Sequence, residues 1–240
     1  MTEVRLFSTC LAEELFPTVT EAVVRVLEGL KLKVRPMASA FCCGQAPFNE
    51  GFRQPALELA RRFLKTCEPG TPIVIPSGSC ASMVKIFYND LLVGDAELKA
   101  KVAAIRPWIF EFSQFLVNVL RVKYVGAHYE RKVAYHPACH LVRELKVGDE
   151  PRILLGAVNG LKVVDFGHSE ECCGFGGLFS VKFPQISAAM AEDKVARISE
   201  SGAEAVVAND CGCLMQIGGA LHRKGLPIET RHLAEVLASR

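Results

Sequence analysis

Two adjacent cysteines followed by glycine occur twice, in Phe41-Cys42-Cys43-Gly44 and in Glu171-Cys172-Cys173-Gly174. The cysteines around them keep nearly the same spacing. Cys10 lies 32 positions before Cys42, and Cys139 lies 33 before Cys172. Cys80 follows Cys43 by 37 positions, and Cys213 follows Cys173 by 40. Both halves therefore read C…CCG…C, with Cys10 and Cys139 set 129 residues apart. A repeat of this length points to two copies of one module, each converging four thiols on one site. The boundary falls near residue 125, giving modules 1–125 and 126–240.

Half of the 240 residues are hydrophobic and 22% are charged, enough for a substantial core and too apolar for disorder. The net charge is +2 and no basic run stands out, which argues against nucleic acid as a partner. The stretch from Pro107 to Val122 is the most apolar, but Glu111, Gln114 and Asn118 interrupt it, so no membrane span is expected. Met1 to Arg5 leads straight into a strand without an apolar signal core, and a cytoplasmic location is expected. Ten cysteines in such a chain fit metal binding or redox chemistry better than structural disulfides.

The order of predicted elements repeats as well. Val4 to Ser8 reads as a strand leading to Cys10, Pro17 to Gly29 as a helix, and Leu32 to Arg35 as a strand before the first cysteine pair. Pro55 to Cys67 has helical periodicity, Ile73 to Ile75 is a buried strand, and Ser77 to Cys80 opens the next helix. In the second half the strands are Lys132 to Tyr135, Leu161 to Asp165 and Ala205 to Ala208. Helices are predicted over Asp149 to Val158, Phe183 to Ser199 and beyond Cys213. Between the halves, Asp95 to Val122 reads as helical, either core that packs the halves together or a docking surface. Strand–helix alternation predicts an α/β fold of two pseudo-symmetric modules, each a small, mostly parallel sheet flanked by helices. Loops at the C-terminal ends of such strands gather at one edge, which is the reason for Cys10 and Cys80 to meet.

Four thiols per module suit an iron–sulfur cluster, a structural zinc or disulfide exchange. The chain has no CxxC, so ordinary zinc ribbons and ferredoxin runs are excluded, and spacing alone does not choose iron over zinc. Gly44 suits a turn that lets both neighbouring thiols face one centre. Gly174, Gly176 and Gly177 suit close backbone approach to a bound group rather than a nucleotide loop, because G-x-G-G is not G-x-G-x-x-G. Cys67 reads as a core cysteine, and Cys211 is an extra thiol beside Cys213. All six histidines lie in the second half, where His136, His140 and His168 flank the cysteines. They fit ordinary loop histidines bonded to backbone, or a second site coupled to protons. Arg143 can pair with a substrate carboxylate or stand solvated at the surface.

The two CCG segments, with Tyr135-His136-Pro137-Ala138-Cys139-His140-Leu141-Val142-Arg143 and Cys213-Leu214-Met215, resemble the CCG, or cysteine-rich, domain family over nearly the whole chain. That family includes the cysteine-rich subunit of heterodisulfide reductase and iron–sulfur subunits of glycolate and glycerol-3-phosphate dehydrogenases. The local matches are most similar to its lactate-oxidising branch. The resemblance implies an electron-carrying iron–sulfur subunit of a complex that oxidises L-lactate to pyruvate, acting with two partner proteins and with a small hydroxy acid as possible substrate. It implies one or two [4Fe-4S] clusters, held by Cys10, Cys42, Cys43 and Cys80 and by Cys139, Cys172, Cys173 and Cys213, with zinc possible at one or both. The family pattern ends in CxxC; here Ser77 and Asp210 stand where its first cysteine would be. A heterodisulfide-reductase-like thiol/disulfide subunit and a zinc-stabilised scaffold are the competing expectations.

Overall fold

The computed structural model describes residues 2–37 and 42–240. Ala38 to Phe41, just before the first cysteine pair, lie outside the described residues. Two four-stranded sheets carry the fold, and every ladder in both is parallel. The first sheet has β1 (Glu3–Leu6), β2 (Lys33–Pro36), β3 (Ile73–Ile75) and β4 (Ile109–Glu111), in the order β2-β1-β3-β4. The second has β5 (Lys132–His136), β6 (Lys162–Val164), β7 (Ala205–Ala208) and β8 (Glu229–His232), in the order β6-β5-β7-β8. The two orders are the same, so the repeat in the cysteines is a repeat of topology.

The strand sequences follow from where each strand sits. Central β3 and β7 are buried throughout and are continuous apolar runs, Ile-Val-Ile and Ala-Val-Val-Ala. Edge strand β2, Lys-Val-Arg-Pro, is mostly exposed and carries charge and a proline, which block further pairing. The helix Pro17–Gly29 starts on a proline at its first turn and buries Val19, Ala22, Val23, Val26 and Leu27, the stripe expected at a period of 3.6. Each of those buried valines and leucines contributes about 2 kcal/mol through lost water contact. The stripe packs in the same core as Leu233, Val236 and Leu237 of the C-terminal helix, and Thr18 Oγ1 donates to Glu235 Oε1 at 2.8 Å.

The segment between the sheets departs from expectation. It is not one long helix. The helix Ala96–Ile105, capped by the Asp95 carboxylate, gives way to a short turn at Arg106–Trp108 containing Pro107. Proline has no N–H to continue the helical ladder. Ile109–Glu111 then joins β3 as a fourth strand. Beyond it Phe112, Phe115 and Leu116 are fully buried against Val133, Tyr135, Leu154 and Leu155 of the second half. At Phe112, Phe115 and Leu116 the segment is therefore core that joins the halves.

The last strands, β4 and β8, both end on buried polar residues, and the one that ends β4 bonds across to the second half. Glu111 Oε1 accepts from Asn209 Nδ2 at 2.8 Å, and the Asn209 side-chain oxygen accepts from Tyr135 Oη at 3.0 Å. Burial pushes the Glu111 carboxyl up to about 6, against the bonds from Ser113 and Asn209. His232 caps the helix Leu233–Leu237, its Nδ1 accepting from Ala234 N at 3.1 Å. Burial pushes this imidazole down to about 4, so the folded chain resists protonating it. Its contribution to stability is complete above the unfolded value of 6.5 and is lost as pH falls from 6.5 towards 4, by roughly 3 kcal/mol at the limit. In H232N an asparagine keeps the cap without titrating. The difference in urea-unfolding free energy between the two proteins is expected to shift in favour of H232N by roughly 2 kcal/mol between pH 7.5 and pH 5; a pH-independent difference would remove His232 from the acid sensitivity.

Candidate metal centre

In each sheet the first and third strands are neighbours, and the chain leaves them in opposite lateral directions. That switch point opens a crevice at the strand C-termini. Cys10 follows β1, Cys42 and Cys43 follow β2, and Cys80 follows β3. Cys139, Cys172, Cys173 and Cys213 follow β5, β6 and β7 in the same way. All eight line one cavity of about 280 Å³.

Within it the sulfurs form two continuous chains. The Cys42 thiolate takes hydrogen bonds from the Cys10 and Cys43 thiols and, at 3.4 Å, from Gly44 N–H. These bonds push Cys42 down to about 3, and the same sharing, with burial, pushes Cys10 and Cys43 up. Cys43 and Cys80 Sγ are 3.2 Å apart and complete the quartet. The second quartet matches it. Bonds from Cys139, Cys173 and Gly174 N–H lower Cys172 to about 2, Cys139 is raised, and Cys173 and Cys213 Sγ lie 3.4 Å apart. A soft metal taking up either quartet would bind the thiolates and displace the protons that the thiols carry.

The glycine after each pair is required by the backbone. Gly44 and Gly174 both sit at φ +85°, in the left-handed region. A Cβ on Gly174 would stand 2.8 Å from the Ser187 carbonyl oxygen, and one on Gly44 would stand 3.2 Å from the Ala56 carbonyl oxygen. Gly176 and Gly177 also have positive φ, and both line the cavity.

The two quartets face each other across the module boundary. Asp210, three residues before Cys213, reaches the other half. It accepts from Ser79 N at 2.8 Å, Ser79 Oγ at 2.9 Å and Ser77 Oγ at 3.3 Å. Ser77 in turn caps the helix Gly78–Ser82 by accepting from Cys80 N. The two positions that depart from CxxC are therefore partners in one buried bond. Burial raises the Asp210 carboxyl, opposed by the bonds from Ser79. Cys211 is buried beside Ala12 and Val19 of the first half and lines the same cavity. Cys67 lies outside it, in the first core, its Sγ donating to the Phe63 carbonyl at 3.2 Å.

The basic candidates separate. His140 lines the cavity, with Nδ1 3.6 Å from Cys139 Sγ. Arg143 and His168 do not; they border an open surface depression with Arg152, Asp165, Glu170 and Glu171. His168 is exposed and lies 3.5 Å from Glu171. His136 is no loop histidine: it ends β5 and is fully buried, and burial pushes it down to about 3. Its ring nitrogen and the Sγ atoms of Cys173 and Cys213 all lie within 4.8 Å of one another. Among the described residues no helix is long and apolar enough to cross a membrane.

Similarity to known proteins follows the same outline. The chain is 41% identical over 237 residues to lactate utilization protein A of Shouchella clausii, covering 99% of both chains. It is 43% identical over 237 residues to the protein of that name from Anoxybacillus flavithermus, again with 99% of both covered. For Bacillus licheniformis the figures are 42% over 238 residues, with 99% of this chain and 100% of the relative covered. Likeness to solved structures is distant: a glutamate racemase from Bacillus anthracis matches at a TM-score of 0.39 with 10% identity, over 99% of this chain and 78% of that one, too weak to bear on the site. The pattern of the cysteine-rich domain matches residues 4–85 and 133–218, the two spans that hold the two thiol quartets. The chain belongs to the cysteine-rich domain (CCG) family.

Proposed function

We propose that this chain is the iron–sulfur, electron-carrying component of a multi-protein system that oxidises L-lactate to pyruvate in the cytoplasm. Two thiolate quartets on one buried cavity carry the proposal, and the names of the full-length relatives supply the substrate. Cys10, Cys42, Cys43 and Cys80 would hold the first cluster, and Cys139, Cys172, Cys173 and Cys213 the second. The donor set fits: each quartet offers four soft sulfurs with backbone N–H groups of Gly44 or Gly174 turned to them. When bound, [4Fe-4S] clusters would supply one-electron transfer. The chain's own part is to keep those electrons away from water. Cys43, Cys173 and Cys213 are buried, and Phe175, Gly176 and Gly177 line the cavity beside them. Oxidation of a hydroxy acid releases two electrons and two protons; two one-electron centres on one cavity would pass the electrons on singly, and the protons would go to groups of the substrate-binding subunit. The other subunits of the system would bind the hydroxy acid and receive the electrons.

Metal and sulfide analysis of protein purified without oxygen tests this. Roughly eight iron and eight sulfide per chain, with a brown colour, are expected. About two zinc and no colour would instead make both quartets closed structural sites and the chain a scaffold.

A further inference from the structure

The two centres are not chemically equal, although the fold around them is. His136 lies three residues before Cys139, and the residue three before Cys10 is Phe7. Gly44 faces Ala56 and Leu59, and Gly174 faces Ser187 and Met190; this fixes the register of the two helices beyond the cysteine pairs and sets Lys194 in the place of Phe63. In the first module Phe7 and Phe63 stack edge to face at 5.0 Å. The second module puts an imidazole and a buried ammonium at these two places, both among its buried polar residues.

The imidazole is the more informative. Neither His136 nitrogen has a hydrogen-bond partner among the described residues, although the side chain is fully buried. Buried polar groups are rarely left so, and the nitrogen that the backbone does not serve calls for a partner that the protein atoms do not supply. The sulfurs of Cys173 and Cys213 share a 4.8 Å sphere with one ring nitrogen. The Ser169 backbone also faces the ring. Metal-bound histidines have this arrangement, with one nitrogen on the metal and the other N–H turned to backbone.

We infer that His136 is a nitrogen ligand of the second centre, a fifth donor added to its four cysteines beside Cys173 and Cys213, and that the first centre has sulfur ligands only. The inference rests on the second quartet holding a metal, as proposed above. The Lys194 ammonium, buried near Cys173 and Cys213, favours the more negative, reduced form of a cluster, so the second centre is the one that fills with electrons first.

The test is pulsed EPR on the reduced, anaerobically purified full chain, unlabelled and grown with 15N-histidine. A nitrogen coupling of directly bonded strength that changes with the isotope is expected. It should vanish in H136F, a side chain that the sister module accommodates at Phe7, and persist in H140L. The first centre's signal should be unaltered. Absence of any histidine coupling in the parent protein, a measurement that needs no variant, overturns the inference, as does a coupling that survives in H136F. Metal analysis of the same sample keeps the two claims apart. Zinc in place of iron defeats the iron–sulfur reading alone, and X-ray absorption at the zinc edge then decides the ligand by the presence or absence of nitrogen beside sulfur in the parent and its loss in H136F.

Discussion

Replacing Cys173 by serine is expected to remove the second metal centre and leave the first, halving the metal bound per chain. Cys173 is the middle of its quartet: its thiol bonds the Cys172 thiolate, and its sulfur lies 3.4 Å from that of Cys213. Serine keeps the shape, but its hydroxyl does not ionise near neutral pH, and a soft metal needs the thiolate. Cys43→Ser should do the same to the first centre, because Cys43 bonds Cys42 and stands 3.2 Å from Cys80. Cys67→Ser should keep both, since Cys67 sits in the apolar core away from the cavity. Elemental analysis with a circular dichroism check of the fold decides the matter, and full metal content in the Cys43 or Cys173 variant would refute the ligand assignment.

The second large effect is expected at Asp210. Alanine there leaves the Ser79 N–H and two serine hydroxyls without their acceptor in a buried place. Removing one partner of such a bond leaves the desolvation cost of the others, and D210A should lose about 3 kcal/mol of stability. D210N keeps one acceptor oxygen and sheds the buried charge, so its loss should be near ~1 kcal/mol. Urea unfolding of apoprotein measures both without interference from metal. If D210A unfolds at the same midpoint as its parent, the bond between the modules contributes nothing to their union.

Much of the site was legible because cysteine spacing is a one-dimensional signal. Parallel strands return every crossover to the same sheet edge, so cysteines that follow successive strands must meet there. The two short outer strands were not legible. Ile109–Glu111 is three residues inside an apolar run, too short to show alternation, and Pro107 was the available hint that a helix could not continue through it. Glu229–His232 is an edge strand with mostly polar, partly exposed residues, and a polar edge resembles a loop in sequence.

The sequence by itself determined that there are two modules, that each brings a quartet of thiols to one place, and that glycine must follow each cysteine pair. These are properties of spacing and of backbone angles within a few residues. Only the tertiary structure decided how the modules meet. Ser77 and Asp210 are 133 residues apart, and nothing local to either says that one will accept the other's proton. The pairing exists because the pseudo-symmetric packing brings the ends of β3 and β7 together. His136 shows the same limit. Its neighbours in sequence are those of an ordinary loop, but the end of β5 is buried, and burial is what sets one of its ring nitrogens beside the sulfurs of Cys173 and Cys213.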